Sequence, residues 1–302
     1  MNEIELLEKL KKGLLSVNKE IKDTKKYFGH SNPKWENSEK AQNYYLWNLK
    51  NNLYQNINQK QKLGSGCKAI RSSAALIYNT LLSGQIKLKT GEEYRGYKSV
   101  YEIPFRAIKN DKDSTHTAKL DAGLLSVDEN TLLLFEAKCM EWFDKNPKKL
   151  KKAYLKEDRY LYKESAAIFK PLFNDFINPD EIIDKDAITY KSKYIRYDAF
   201  QMLIHCLGIY NWCLGKKKDS KKNIKTIQLI NLIWDYECEE YKKEEKEGLE
   251  FKQFANSNLR EEFRKLGVNF SIEYVRYSDF LKRVDWSNDM EHQKYLKRYE
   301  IK

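Results

Sequence analysis

The sequence has no stretch of about 18 consecutive apolar residues, which is the length that a transmembrane helix requires. It also lacks the features of a secretory signal peptide. Its first residues, Met-Asn-Glu-Ile-Glu, are acidic where such a peptide is basic, and no apolar segment follows. We therefore expect a soluble chain that does not associate with a membrane and is located in the cytoplasm.

Cysteine is scarce and irregularly spaced. The five cysteines are Cys67, Cys139, Cys206, Cys213 and Cys238. None of them forms a Cys-x-x-Cys pair, which removes support for zinc-ribbon and thioredoxin-like functions. Their odd number fits reduced thiols in a reducing compartment.

Charge is plentiful and unbalanced. The chain has 56 Lys and Arg against 44 Asp and Glu, which gives a formal net charge of +12 and a pI of about 9.1. An excess of this sign favours polyanionic partners, because Lys and Arg that contact phosphates release counterions. A lysine-rich surface that only aids solubility would have the same composition, so the charge alone does not decide.

The hydrophobic pattern changes its period along the chain. Roughly the first 60 residues read as polar helices, and an amphipathic helix is predicted over about 67–83. The region 147–217 reads as largely helical, with a break near Pro179 and its most regular part at 196–214. Apolar or alternating segments predict five strands, at 99–107, 117–127, 131–139, 224–234 and 270–275.

These elements predict the fold class. The third strand is apolar on both faces, which is typical of a strand that helices cover on both sides. Pro104 indicates that the first strand lies at an edge or carries a bulge. We predict an α/β fold with a central mixed sheet of about five strands flanked by helices. Residues 1–62 would form a helical N-terminal extension, and residues 63–302 one domain.

Ionisable residues occur where the strands should be buried. Glu136 and Lys138 are two positions apart on one strand, so their side chains leave the same face. Asp121 lies on the preceding strand, across a tight hairpin, and is expected to be a cross-strand neighbour of Glu136. Glu102, on the strand before that, is a candidate further carboxylate.

Two carboxylates buried together are unfavourable unless a cation neutralises them, and one lysine neutralises only one of them. A divalent metal resolves the imbalance, and hard oxygen ligands select Mg²⁺ or Mn²⁺ over zinc. Such a metal activates water and stabilises charge on a phosphate oxygen, while Lys138 would orient the water or stabilise the phosphate. The alternative is a buried salt bridge from Glu136 or Asp121 to Lys138, without any chemistry.

The motif resembles that of the PD-(D/E)XK nuclease superfamily, which has the restriction-endonuclease-like fold. Lys119-Leu120-Asp121 is followed, after a hairpin, by Glu136-Ala137-Lys138 at the end of an apolar strand. The resemblance implies that Asp121 and Glu136 bind metal together with the main-chain carbonyl of Ala137, and that Lys138 assists the attacking water. Leu120 stands where the pattern often has proline, at a position that varies widely in the superfamily.

The resemblance covers roughly residues 67–277 and includes a helix after the motif. Gln201 and His205 lie four positions apart on this helix and share one face. Gln201 is similar to a glutamine near the active site of some superfamily members, and would hydrogen-bond a metal-bound water or a DNA phosphate. It would otherwise be a solvent-facing residue, and His205 would be either a supporting group or an ordinary core histidine.

The resemblance implies a metal-dependent nuclease that hydrolyses DNA, with Mg²⁺ or Mn²⁺ as cofactor, in the manner of a restriction or defence endonuclease. A repair or recombination nuclease acting on structured DNA is an alternative, as is a non-cleaving DNA-binding module on the same fold. A basic run at Lys148-Lys149-Leu150-Lys151-Lys152 either tracks a phosphate backbone or is a solvated surface. Whether the chain works as a homodimer stays open.

Overall fold

A computed structural model describes residues 5, 6, 9, 10, 12, 73–81, 84–110, 114–143, 148–178, 189–216 and 223–300. Its eight strands are β1 (Gln85–Lys87), β2 (Glu93–Lys109), β3 (Thr115–Ser126), β4 (Thr131–Lys138), β5 (Lys149–Lys151), β6 (Thr189–Lys191), β7 (Thr226–Ile233) and β8 (Asn269–Arg276). Its α-helices are α1 (Ser73–Thr80), α2 (Lys163–Asn174), α3 (Ala199–Lys216), α4 (Glu239–Arg264), α5 (Tyr277–Arg283) and α6 (Met290–Leu296).

Six of the strands form one mixed sheet in the order β1-β2-β3-β4-β7-β8. The first four strands pair antiparallel, whereas β4, β7 and β8 run parallel. Parallel neighbours require a crossover connection, and α3 and α4 lie in the two connections concerned. The chain is therefore of the α/β class, with a mixed sheet flanked by helices, as the sequence predicts.

Helices cover both faces of β4, the strand with the continuous apolar run. The Phe135 ring contacts Phe280 of α5, with ring centroids 5.7 Å apart. The next side chain, Glu136, meets His205 of α3. Because successive side chains of a strand point to opposite faces, α5 and α3 lie on opposite sides of the sheet. The expectation that β4 is buried on both sides is confirmed.

The five strands that the sequence predicts are all present, with β2 beginning earlier than expected, at Glu93. Two predictions need correction. The sheet has six strands rather than about five, because β1 contains three residues and is too short to show an alternating pattern. The region 147–217 is less helical than predicted, since β5 and β6 pair there as a separate two-stranded sheet.

Proline in β2 lies where the sequence predicts an edge or a bulge. Pro104 pairs with Lys119 of β3, while β1 reaches β2 only from Glu93 to Arg95 among the described residues. A register shift precedes Pro104, between Gly96 and Tyr101. The missing N–H of proline therefore removes no ladder bond to β1.

Most of the predicted N-terminal extension, 1–62, lies outside the described residues, as does its boundary with the following domain. Of its described residues, Leu6 and Leu10 are helical and fully buried. The Nζ atom of Lys9 donates a hydrogen bond to the Tyr236 hydroxyl at 2.8 Å. No helix within the described ranges is both long enough and apolar enough to cross a bilayer.

One stripe of residues on α3 packs against both β2 and β4 of the sheet. The stripe consists of Gln201, His205, Gly208 and Trp212, which recur at spacings of four, three and four residues. Its first two residues reach the end of β4, and Trp212 contacts the Phe105 ring of β2 at 5.7 Å between centroids. The helix comes closest at Gly208, where an added Cβ would lie 2.8 Å from the Phe105 Cβ.

The close approach at Gly208 predicts that Gly208→Ala destabilises the fold. The added methyl group gains about 1 kcal/mol of helix propensity, but overpacking of this kind costs about 1–3 kcal/mol. We expect a lower midpoint of urea unfolding with an unchanged m-value. The matched control is Gly215→Ala in the same helix, whose nearest outside atom is the Tyr162 hydroxyl at 3.4 Å. Equal stability of the two variants would contradict the packing described.

Candidate active site

The candidate site begins where β3 and β4 stop pairing. The last pair in their ladder is Ala122 with Phe135, so Asp121 and Glu136 occupy the next position in register. The Oδ2 atom of Asp121 accepts a hydrogen bond of 2.7 Å from the Ala137 N–H. Asp121 thus takes the place of a strand partner for Ala137. In an extended strand the N–H and C=O of one residue face the same neighbour, so the Ala137 carbonyl also faces the Asp121 side.

Glu136 is buried, with 3% of the residue exposed, and lies between two nitrogen-bearing side chains. Its Oε1 accepts a 2.8 Å hydrogen bond from Lys138 Nζ, and its Oε2 lies 3.0 Å from His205 Nε2. The second contact is not aligned as a hydrogen bond, and both ring nitrogens of His205 lack a described hydrogen-bond partner. Burial opposes ionisation of Glu136, but Lys138 and His205 outweigh it and lower its pKa to about 2.

Lys138 connects the strand to α3. Its Nζ donates to Glu136 and, at 2.6 Å, to the Oε1 of Gln201. Burial would lower the pKa of Lys138, but the surrounding carboxylates Glu136, Glu141 and Asp198 raise it above its ordinary value. Asp198 also caps α3, because its Oδ1 accepts the Gln201 N–H at 2.9 Å. Gln201 therefore faces the site rather than solvent.

Asp121 is the carboxylate that this arrangement leaves unbalanced. Burial raises its pKa well above the ordinary value, and the negative charge of Glu136 raises it further. The charge on Lys138 and the bond from Ala137 act in the opposite direction without reversing the shift. The Lys138 ammonium bonds Glu136 and acts on Asp121 only through its charge.

Glu102 lies on β2 across from Asp121. Its chain neighbours Tyr101 and Ile103 pair with Ala122 and Leu120, on either side of Asp121. The carboxylate of Glu102 also contributes to raising the pKa of Asp121. It is partly exposed, 3.6 Å from Lys119 Nζ, and its backbone has a positive φ of 53°. The structure thus brings Glu102, Asp121, Glu136, Lys138 and Gln201 together.

The chain leaves β4 through a turn that brings in another acid. Glu141 begins a short 3-10 helix, and its Oε2 accepts the N–H groups of Cys139 and Met140 at 2.6 and 2.9 Å. Glu141 and Lys138 line a common cavity of about 200 Å³. Glu141 is therefore adjacent to the site, three residues after Lys138.

The wall of this cavity contains polar residues that the sequence did not single out as site residues. Tyr197, Asn231 and Glu244 are buried there. The Tyr197 hydroxyl and the Asn231 Oδ1 lack a described hydrogen-bond partner. Burial raises the pKa of Glu244 to about 8. Asn231 is signalled in the sequence by its position among the apolar residues at the end of β7, whereas nothing signals one buried glutamate in a charged helix.

The residues at the site fit a hard divalent cation. Asp121, Glu136 and the Ala137 carbonyl are oxygen donors of the kind that Mg²⁺ and Mn²⁺ bind, and Glu136 Oε2 is a buried oxygen without a hydrogen bond. No group of three or more His, Cys, Asp or Glu side chains arranged to hold a metal occurs within the described ranges. The donors at this site are two carboxylate side chains and one main-chain carbonyl, so they would not count as a group of three such side chains.

Comparison with known proteins does not identify the chain. A scan against protein-family models, a search of curated proteins and a search of solved structures each give no significant match.

The different environments of the two carboxylates predict opposite effects on stability. Because the pKa of Asp121 is raised in the fold, stability is lost as pH rises from the ordinary value of 3.8 towards the folded pKa. Asp121→Asn removes this loss and keeps an acceptor for the Ala137 N–H. We expect its melting temperature in EDTA at neutral pH to exceed that of the wild type by a few degrees.

Glu136→Gln should do the reverse. The lowered pKa of Glu136 gives stability that is present above its ordinary value of 4.5 and is lost as pH falls towards about 2. The substitution also leaves Lys138 without its carboxylate, so we expect a lower melting temperature at neutral pH. A lower melting temperature for Asp121→Asn would mean that Asp121, rather than Glu136, is the structural partner of Lys138.

Proposed function

We propose that this chain is a metal-dependent nuclease that hydrolyses DNA phosphodiester bonds. The observation that carries the proposal is the pair Asp121 and Glu136, one position beyond the last pair of the β3–β4 ladder, where Lys138 bonds Glu136 and Asp121 bonds only the Ala137 N–H among the described contacts. A purely structural ion pair needs one acid and one base. The second, unbalanced acid costs stability, and such a cost is typical of a functional site.

Asp121, Glu136 and the Ala137 carbonyl would hold Mg²⁺ or Mn²⁺, with Glu102 as an additional carboxylate. The bound ion supplies Lewis-acid charge at a phosphate oxygen and lowers the pKa of water. The Ala137 N–H holds Asp121 in orientation at 2.7 Å, and Lys138 holds one oxygen of Glu136 at 2.8 Å. One oxygen of Asp121 is therefore fixed and its other oxygen is left for a ligand, whereas the second oxygen of Glu136 lies 3.0 Å from His205 Nε2.

Lys138 acts in this proposal as a donor and not as a base. Its raised pKa keeps the ammonium protonated. An ammonium has three N–H groups, and two of them bond Glu136 and Gln201. The third is left for the attacking water or for a phosphate oxygen, where the positive charge stabilises the negative charge that develops in the transition state. Gln201 is then a positioning residue, because it holds Nζ and does not need to contact DNA.

The architecture is in keeping with a restriction-endonuclease-like fold, although fold alone does not determine function. A hairpin carries the acids, a helix precedes it, and α3 follows it with Gln201. On this basis we propose an endonuclease of restriction or defence type. Preference for flaps, forks or ends over intact duplex would instead identify a repair or recombination nuclease.

The proposal predicts metal-dependent cutting that requires Asp121 and Lys138. Supercoiled plasmid should be cleaved with Mg²⁺ or Mn²⁺, and left intact in EDTA. Asp121→Asn and Lys138→Ala should each reduce the rate about 100-fold or more. Asp121→Asn is the more informative variant, because it is expected to be more stable than the wild type and its inactivity cannot be attributed to unfolding.

The matched control is Glu273→Gln on β8. Glu273 is also a partly buried strand carboxylate, paired with Lys252 at 2.7 Å, and β7 separates its strand from β4. The Glu273→Gln variant should cut plasmid at the wild-type rate. Wild-type cutting by Asp121→Asn would show that the site is wrongly assigned, and metal-independent binding of plasmid without cutting in any metal would indicate a DNA-binding module.

A further inference from the structure

The chain just before α3 is held by one glutamate of α4. Glu247 accepts three successive main-chain N–H groups. Its Oε1 bonds the N–H of Ile195 at 3.2 Å, and its Oε2 bonds those of Arg196 and Tyr197 at 2.9 and 2.8 Å. Successive N–H groups that converge on one point form an anion-binding concavity, and the anion here is a carboxylate of the chain itself. We call residues 195–198 the entry segment of α3.

Helix α4 lies directly against the entry segment. A Cβ added at Gly248 would lie 3.0 Å from Cε2 of the Tyr197 ring, so a side chain at this position would push the two apart. Glu244, three residues before Glu247 and on the same face of the helix, lines the cavity together with Lys138. Glu247 is partly buried at this contact. Its carboxylate therefore belongs to a packed interface beside the candidate active site.

The entry segment supports the cavity wall at the end of β4. The Arg196 guanidinium donates to the carbonyls of Trp142 and Phe143, in the 3-10 helix that follows the strand. Glu141 begins this 3-10 helix and lines the cavity with Lys138. Holding the main chain at Arg196 therefore also holds the turn that carries Glu141.

The last residue of the entry segment fixes the first turn of α3. Glu247 bonds the N–H of Tyr197, and the next residue, Asp198, accepts the Gln201 N–H at 2.9 Å. The Oε1 of Gln201 in turn accepts a hydrogen bond of 2.6 Å from Lys138 Nζ. A continuous series of hydrogen bonds and chain neighbours thus connects Glu247 to the lysine ammonium of the site.

We propose that Glu247 is a positioning residue, which holds the entry segment so that Gln201 keeps Lys138 in place. Glu247 does not need to contact DNA or metal for this role. The proposal rests on the proposed function for its effect on cutting, whereas its effect on the entry segment is measurable without any cutting. A glutamate that only satisfies N–H groups of a loop would affect stability alone.

The test removes the carboxylate and then supplies another from solution. Glu247→Ala leaves three N–H groups converging on a vacated position, which formate, the smallest carboxylate, can occupy. Glu247→Gln keeps one acceptor oxygen, so it should have a smaller effect and serves the same comparison if Glu247→Ala does not fold. The matched control is Glu250→Ala, which removes the same charge three residues further along the helix. Glu250 is exposed and accepts only the Tyr194 hydroxyl among the described hydrogen bonds, at 3.4 Å.

Cutting of plasmid with Mg²⁺ or Mn²⁺ is the first readout. The kcat of Glu247→Ala should fall about 10-fold or more, because small displacements of a catalytic group have effects of this size. Its KM for DNA should match that of Glu250→Ala, since both variants lose one negative charge. Sodium formate should restore part of the lost kcat when it replaces sodium chloride at equal ionic strength. Formate should leave the kcat of Glu250→Ala unchanged.

Amide hydrogen exchange is the second readout and requires no cutting. The N–H groups of Arg196, Tyr197 and Gln201 should exchange faster in Glu247→Ala than in the wild type, because the entry segment opens locally. Formate should slow this exchange again. In Glu250→Ala the same groups should exchange as in the wild type.

Equal kcat and equal exchange in Glu247→Ala and Glu250→Ala would overturn the proposal, while cutting by the wild type would show that the nuclease function stands without it. A loss of kcat that formate does not restore, accompanied by a lower melting temperature, would overturn it in favour of a structural role. If the wild type cuts in no metal, the nuclease is rejected, and exchange at Gln201 then decides. Faster exchange that formate reverses would support Glu247 as a positioning residue, and unchanged exchange would overturn it.

Discussion

The ion pair between Glu136 and Lys138 organises the candidate site. Both residues are on β4, two positions apart, so the strand itself presents them side by side. α3 completes the arrangement from the opposite side, with Gln201 on the ammonium and His205 against the carboxylate. A buried pair of this kind contributes little to stability compared with apolar packing. The effect of the pair is to hold two charged groups in fixed positions on a rigid strand.

The geometry of the sheet explains why the pair has a second acid beside it. The β3–β4 ladder ends at the pair of Ala122 and Phe135, and main-chain groups beyond this pair need new partners. Asp121 provides one for the Ala137 N–H. The same bond holds the carboxylate next to Glu136, where its negative charge is unfavourable. The Asp121 carboxylate therefore both satisfies the Ala137 N–H and brings a second negative charge to the site.

Much of this arrangement can be predicted from the sequence. The apolar run of β4 followed by Glu136 and Lys138 predicts charged side chains at the end of a buried strand, and the short hairpin predicts Asp121 opposite. The resemblance also predicts that Gln201 lies near the site, and Gln201 contacts Lys138 across a separation of 63 residues. These predictions succeed because they depend on the strand period and on a tight turn, which are local properties.

Other parts depend on contacts that no local pattern encodes. Glu244 lies in a helix rich in Lys and Glu, where nothing distinguishes the one glutamate that is buried beside Tyr274. β5 and β6 have three residues each and pair across a separation of about 40 positions, so lysine-rich segments that read as helix or surface form a sheet instead. β1 also has only three residues, which are too few to show a strand pattern. In each case tertiary pairing, rather than local propensity, decides the structure.

The close approach at Gly208 also has a consequence for motion. α3 is held at its first turn by the Asp198 cap and further along by Asn211, whose amide donates to the carbonyls of Arg106 and Ala107. Between these points the helix lies against the β2 backbone with no side chain at Gly208 to act as a spacer. Local fraying cannot open this segment without lifting the helix from the sheet. Its amide hydrogens should exchange with solvent only when the whole domain unfolds, so Gln201 and His205 are held at the site by a helix segment that does not open locally.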